Sequence, residues 1–157
     1  MENKDFEGFS VCHLVATEKF AAIDNVIDNC KIFDELNDNK ERFRRAVHRR
    51  EIIETTGIGH GVAIAHGKLP CIDKVCVGLG VSEDGIDYNS KDGQPVHLLF
   101  VISSSPFTQI NYLKTLAKIL KSVHDEELRN EVARLFCKDF HGEVCEDFLH
   151  MLGNQKF

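Results

Sequence analysis

The chain has 157 residues, 43% of them hydrophobic and 28% charged, enough to close one apolar core, and no shift of composition marks a second domain. A formal net charge of -6 and a sequence pI of about 5.7 set a polyanion at net repulsion, which argues against nucleic acid as a partner. No apolar run approaches the ~18 residues a membrane helix needs, and the opening MENKDFEGFS lacks the basic and apolar regions of a secretory leader. The expectation is therefore a single domain over 1–157, cytoplasmic and without membrane insertion.

In chain order, VCHLV (11–15) reads as a first strand, with Thr17 as the N-cap of a helix whose apolar positions Phe20, Ile23, Ile27 and Cys30 recur at helical spacing. LNDN is a loop. A second helix is expected from Asp38 to Glu54, with Asp38 and Glu41 as a capping box and Phe43, Ala46 and Val47 on the inner face. Residues 62–66, 74–79 and 96–102 read as strands, the last so continuously apolar that both of its faces should be covered. EDGIDYNSKDGQP (83–95), rich in Gly, Asp and Asn, is a surface loop with room for a short hairpin.

The final third is helical: Ile110, Leu113, Ala117 and Leu120 line one helix, Asp125 caps a second containing Leu128, Val132 and Leu135, and Val144, Phe148 and Leu152 line a third. The fold class that results is α/β, a three-layer sandwich with a central mixed β-sheet flanked by helices on both sides. The six cysteines, Cys12, Cys30, Cys71, Cys76, Cys137 and Cys145, show no repeated spacing and read as reduced, structural thiols. The set His60, His66, Cys71 and Cys76 lacks a metal knuckle and runs through a strand, so no metal is expected.

TTGIGHGVAIAHGKL (55–69) carries the chemistry. Gly57, Gly59 and Gly61 suggest a nucleotide cradle, but a dinucleotide fingerprint needs glycine where Val62 stands and a strand where a charged helix precedes; a P-loop needs Ser or Thr where Leu69 stands. What remains is a helix, a glycine turn whose amides can face an anion, and a strand ending in His66-Gly67, where Gly67 leaves room for a large group to approach. His66 is either a strand-closing imidazole bonded to a nearby carbonyl or a reactive one. Arg50 falls on the apolar side of its helix, three residues after Val47, unlike Arg42, Arg45 and Arg49. An inward guanidinium needs an anion: Glu54, one turn on, or a phosphate that comes and goes. An inward arginine and a nucleophilic histidine together describe phosphoryl transfer to imidazole.

REIIETTGIGHGVAIAHGK (50–68) resembles the phosphorylation motif of the enzyme IIA domains of the bacterial phosphoenolpyruvate-dependent sugar phosphotransferase system, mannitol and fructose class, and GQPVHLLFVIS (93–103) with the helix YLKTLAKIL behind it is similar to the nitrogen-regulatory branch. The resemblance implies a cofactor-free phosphocarrier that accepts a phosphoryl group on His66 from the histidine-containing phosphocarrier protein. Arg50 then corresponds to the motif's arginine and Thr56 to its threonine, with Gly57 and Gly59 beside the phosphate. It further implies either regulation of target proteins or delivery to enzyme IIB for sugar uptake. Two departures stand out. Ala65 replaces the usual proline before the acceptor, and Gln109 occupies the slot of the family's second histidine, with His97, where nitrogen-regulatory relatives tend to have aspartate, as a competing substitute.

Overall fold

The structure, a computed structural model, describes residues 8–127 and 129–130. Strands β1 (Gly8–Leu14), β2 (Gly57–Gly59), β3 (Val62–Lys68), β4 (Cys76–Ile86) and β5 (Val96–Ser104) form one sheet in the order β1-β4-β5-β3-β2. β1 with β4 and β3 with β5 are parallel pairs; β4 with β5 and β2 with β3 are antiparallel. The sheet is thus mixed, with β5 at its centre, as the apolar run 98–102 within it leads one to expect.

Helices α1 (Lys19–Asn29) and α2 (Lys40–Ile53) cover one face, where Ile23, Val26, Phe33, Phe43 and Val47 pack on Ala63, Ala65, Leu99 and Val101. Helix α3 (Gln109–His124) lies on the other, where Tyr112, Ile119 and Val123 meet Val62, Ile64, Leu98, Phe100 and Ile102. Odd and even positions of β3 and β5 therefore face opposite helical layers, the period-2 rule of a strand. The three-layer α/β sandwich expected from the sequence is the fold observed.

Local signals were less faithful. Glu18, not Thr17, caps α1: its carboxylate reaches both the Phe20 and Ala21 amides at 3.1 Å, while the Thr17 carbonyl accepts from Asp87 N–H at 2.8 Å. LNDN is no plain loop but the end of a 3-10 stretch, Lys31–Asn39, broken at Asn37 (φ 50°). That stretch absorbs Asp38, so α2 starts at Lys40 without a capping box, and Glu41 pairs with Arg44 instead.

β4 begins two residues later than expected and continues to Ile86, through a register irregularity beside Gly85 (φ 92°), into the turn toward β5. In α3 the expected inner residues point outward: Ile110, Leu113 and Leu120 are 71%, 52% and 40% exposed. The helical period permits either face. The tight Ser105–Thr108 capping box that joins β5 to α3 fixes the rotation that turns Tyr112, Thr115, Ile119 and Val123 inward. Asp125 does accept from Glu127 N–H at 2.9 Å, as a cap does. The remainder of the two last expected helices, with Cys137 and Cys145, lies outside the described residues, apart from Arg129 and Asn130. Among the described residues Cys12, Cys30, Cys71 and Cys76 are free thiols, and no helix is long and apolar enough to cross a membrane.

Gly78 shows how closely the layers approach. A Cβ there would overlap Phe33 Cε2, and would stand 3.0 Å from its Cζ and 3.2 Å from Cys30 Sγ. Gly78→Ala should therefore destabilise the domain by about 1–3 kcal/mol through overpacking. A urea titration should give a lower midpoint at unchanged slope, and Phe33→Leu in the same chain should recover part of the loss.

Candidate functional site

β3 alternation decides where the AHGK residues go. His66 and Lys68 share the α3 face with Val62 and Ile64, while Gly67 turns to the α2 face. A Cβ on Gly67 would lie 2.9 Å from Val47 Cγ2 and 3.1 Å from Phe43 Cε1. The space at Gly67 is thus filled by α2 rather than kept for an incoming group, which corrects the sequence expectation. The close contact seats α2 directly on β3 and brings Arg50, three residues beyond Val47, toward the strand edge near His66.

The His66 ring is half-buried, tilted 40° against Tyr112 with ring centroids 5.2 Å apart. Among the described residues neither ring nitrogen has a hydrogen-bond partner, so His66 is not the strand-closing imidazole of the alternative view. Burial pushes its pKa below the ordinary imidazole value; the positive charges of Arg50 and then Lys68 push the same way, and Glu51 opposes them. Arg50 is half-buried, whereas Arg42, Arg45 and Arg49 are exposed. Its Nη1 donates to the Glu54 carbonyl at 2.9 Å, while the Glu54 carboxylate is exposed and lies 3.9 Å from Lys91. Among the described residues no carboxylate pairs with the guanidinium.

Gln109, the first residue of α3, comes to the same end of β3: its Oε1 accepts from Lys68 Nζ at 2.6 Å. Lys68 Nζ also sits 5.1 Å over the Tyr112 ring. Lys68 and Tyr112 were not singled out from the sequence; the i, i+2 spacing of His66 and Lys68 on a strand was the available signal for the first.

His97 is elsewhere. His66 is in register with Ile102 in the parallel β3–β5 pair, so His97, five residues before Ile102, stands about 16 Å down the strand, where its Nδ1 lies 2.8 Å from the Ser82 carbonyl. The glycine turn is also at that far end. Gly57 N–H donates to Thr55 Oγ1 at 3.1 Å, and Gly57 packs so closely on Ser90 that a Cβ would be 2.9 Å from its Cα. Gly59 (φ 102°) and His60 (φ 58°) make the bend, and His60 N–H donates to Asp92 Oδ2 at 2.9 Å. The turn amides therefore serve the hairpin and do not converge on His66.

Thr56 faces inward. Its N–H donates to Glu51 Oε2 at 2.8 Å and its hydroxyl makes a short bond to Glu51 Oε1, with Tyr88 OH at 2.9 Å. Glu51, a buried carboxylate that the sequence reading passed over, also accepts from Tyr88 OH at 2.9 Å and pairs with Lys19 at 3.2 Å. Burial, followed by the Glu51 charge, holds the Tyr88 phenol far above its ordinary pKa, so it stays a donor. An acidic residue next to Arg50 at a helix end, followed five residues on by threonine, was the only sequence signal for this knot.

Removing one partner of a buried ion pair costs about 3–5 kcal/mol. Glu51→Ala should therefore lower the melting temperature by at least ~6 °C, while Glu51→Leu with Lys19→Met should recover part of it, read by differential scanning calorimetry. Chemically, the site is a neutral-leaning imidazole on a strand end with two cations near it, an arrangement suited to attack on an anionic electrophile.

The fold has known counterparts. The structure superimposes on the crystal structure of nitrogen regulatory protein IIA-Ntr from Neisseria meningitidis with a TM-score of 0.66 at 18% identity, covering 90% of this chain and 91% of that one. It matches enzyme IIAMTL, in its complex with phosphorylated enzyme IIBMTL from Escherichia coli, with a TM-score of 0.61 at 15% identity, covering 94% and 99%. In sequence it is 32% identical over 127 residues to the PTS system fructose-specific EIIABC component of Bacillus subtilis, covering 81% of this chain and 20% of that protein. It is 37% identical over 84 residues to a nitrogen regulatory protein of Bradyrhizobium diazoefficiens, covering 54% and 55%. The chain thus spans about half or less of the length of these two relatives. The family model for the phosphoenolpyruvate-dependent sugar phosphotransferase system, EIIA 2, matches residues 9–140, and the chain belongs to that family.

Proposed function

We propose that the chain accepts a phosphoryl group on His66 from the histidine-containing phosphocarrier protein and acts as a nitrogen-regulatory-type signalling protein. The observation that carries the first part is an unbonded, half-buried imidazole whose pKa is held down by burial and by the nearby Arg50 and Lys68 charges. Neutral His66 attacks phosphorus in line with the departing carrier nitrogen, and Arg50 stabilises the charge spread over the equatorial oxygens. Gln109 contributes an amide donor in the slot of the family's second histidine. Thr56, Gly57 and Gly59 act at a distance, by fixing the end of α2 and the start of β3 rather than by touching phosphate, and His97 has no part in the step.

Relatives of both branches support the role after loading, the nitrogen regulatory proteins and the fructose-specific components. Delivery to an enzyme IIB for fructose- or mannitol-type uptake is the second reading, favoured by the longer of the two matches and by the IIA–IIB complex of a fold neighbour. Mixing the phosphorylated chain with candidate enzyme IIB proteins separates the two: fast loss of label to one of them establishes transport, and retention supports regulation.

Incubation with the phosphorylated carrier should add one acid-labile phosphoryl group, absent from His66→Ala by mass spectrometry. Arg50→Lys keeps charge but loses the planar fork, and should slow loading by more than ~10-fold, equal to ~1.4 kcal/mol of transition-state stabilisation. Normal transfer by a folded Arg50→Lys would leave the arginine a structural role only.

The lowered pKa of His66 fixes the sign of the pH response. The unfolded chain takes up the proton first, so the contribution of His66 to stability is complete above about pH 6.5 and erodes as pH falls toward the folded-state value. Loading should likewise persist below pH ~6.5, where a free imidazole would be protonated. Arg50→Gln should move the acid limb of the loading rate upward in pH, measured by single-turnover phosphorylation.

A further inference from the structure

We infer that Lys68 is the second cation of the phosphoryl site, an ammonium that touches the transferring group and stabilises its developing charge; this rests on phosphoryl transfer at His66. Lys68 follows His66 by two residues on one face of β3, about 7 Å along the strand. Tyr112 is a shared platform: the imidazole packs on its ring at 5.2 Å and the ammonium lies 5.1 Å over it. Gln109 Oε1, at 2.6 Å, holds the same ammonium in place. The glutamine therefore serves two ends, tethering Lys68 through its oxygen and leaving its amide N–H groups for the incoming oxygens.

The partners of Lys68 are unlike those of the ion-paired lysines. Lys19 pairs with Glu51, Lys40 with Asp34, Lys74 with Glu35 and Lys91 with Glu54. Among the described residues no carboxylate lies within ion-pairing distance of half-buried Lys68, whose partners are an amide oxygen and a π face. An ammonium carries three donors, and only one is engaged by Gln109. Ser104, in register with Lys68 on β5, adds a buried hydroxyl with no hydrogen-bond partner among the described residues. A partly desolvated cation without a counter-ion is unfavourable until an anion arrives; with Arg50, Lys68 makes a pair of positive charges whose effects meet at one imidazole.

In the step, the P–N bond to the donor ring breaks as a P–N bond to His66 forms. The proton on the other ring nitrogen of His66 is released to solvent and the donor ring takes one up. Lys68 supplies charge and hydrogen bonds and no proton, so its protonation state is the same before and after.

Single-turnover loading by the phosphorylated carrier, normalised to folded protein by thermal melts, tests this in wild type, Lys68→Gln, Lys68→Met and Lys68→Arg. Loading should slow at least ~10-fold in Lys68→Gln and Lys68→Met, and Lys68→Arg should stay within about threefold of wild type because charge and donors are kept. A parallel NMR titration should show the His66 midpoint rising in the two neutral variants and not in Lys68→Arg. Loading of both neutral variants at the wild-type rate overturns the role of Lys68 and leaves His66 as the acceptor. A wild type that is never phosphorylated on His66 overturns both.

Discussion

One buried carboxylate holds the frame on which the site is mounted. Glu51 ties α1 through Lys19, the α2–β2 link through Thr56 and the β4–β5 connection through Tyr88, around a carboxylate that is itself buried. A desolvated charge is tolerated only when each of its lone pairs is met, so these segments cannot shift independently. Because Arg50 is the neighbour of Glu51 on the last turn of α2, its position is set by the same knot. Glu51 is also the negative charge that partly offsets the two cations felt by His66.

The second constraint is the pleat of β3. Its alternation sends Ala63, Ala65 and Gly67 under α1 and α2, and Ile64, His66 and Lys68 under α3. Small residues on the first face allow α2 to approach, and the larger ones on the second build against Tyr112. The helix that delivers Arg50 and the helix that delivers Gln109 and Tyr112 therefore lie on opposite layers and meet only around the end of one strand. Ligand sites of open α/β sheets characteristically form at such strand ends.

The layer architecture was legible because it depends on periodicity, and the apolar run at 96–102, interrupted only by His97, marked the central strand. His66 and Arg50 were legible for the same reason, as polar residues at positions where the period calls for apolar ones. What escaped was set by contacts between distant segments. Thr17 lost the cap of α1 to Glu18 because its backbone is drawn to Asp87. The outer and inner faces of α3 were exchanged because both carry apolar residues at helical spacing, and a turn of four residues chose between them. The glycine turn looked like an anion cradle, but Asp92 and Ser90, far along the chain, occupy it. Glu51 and Lys68 carry no mark in the sequence that sets them apart from the other charged residues, and only their burial in the fold does so.

Chain order and sheet order disagree, with a consequence for how the domain assembles. β2–β3 and β4–β5 are near neighbours in sequence, but β3 must find β5 beyond β4, and β1 must pair Gly8 with Cys76. Pairings of that kind close long loops before any contact rewards them, which slows folding relative to local hairpins. The central strand and the helix that follows it are the last of the site's elements to leave the ribosome. Until β5 is in place and α3 has laid Tyr112 on the sheet, β3 has neither its parallel neighbour nor the ring against which its imidazole is held. The surroundings of His66 are therefore absent from any partly folded form built on the first half of the chain, and its chemistry becomes a property of the completed domain alone.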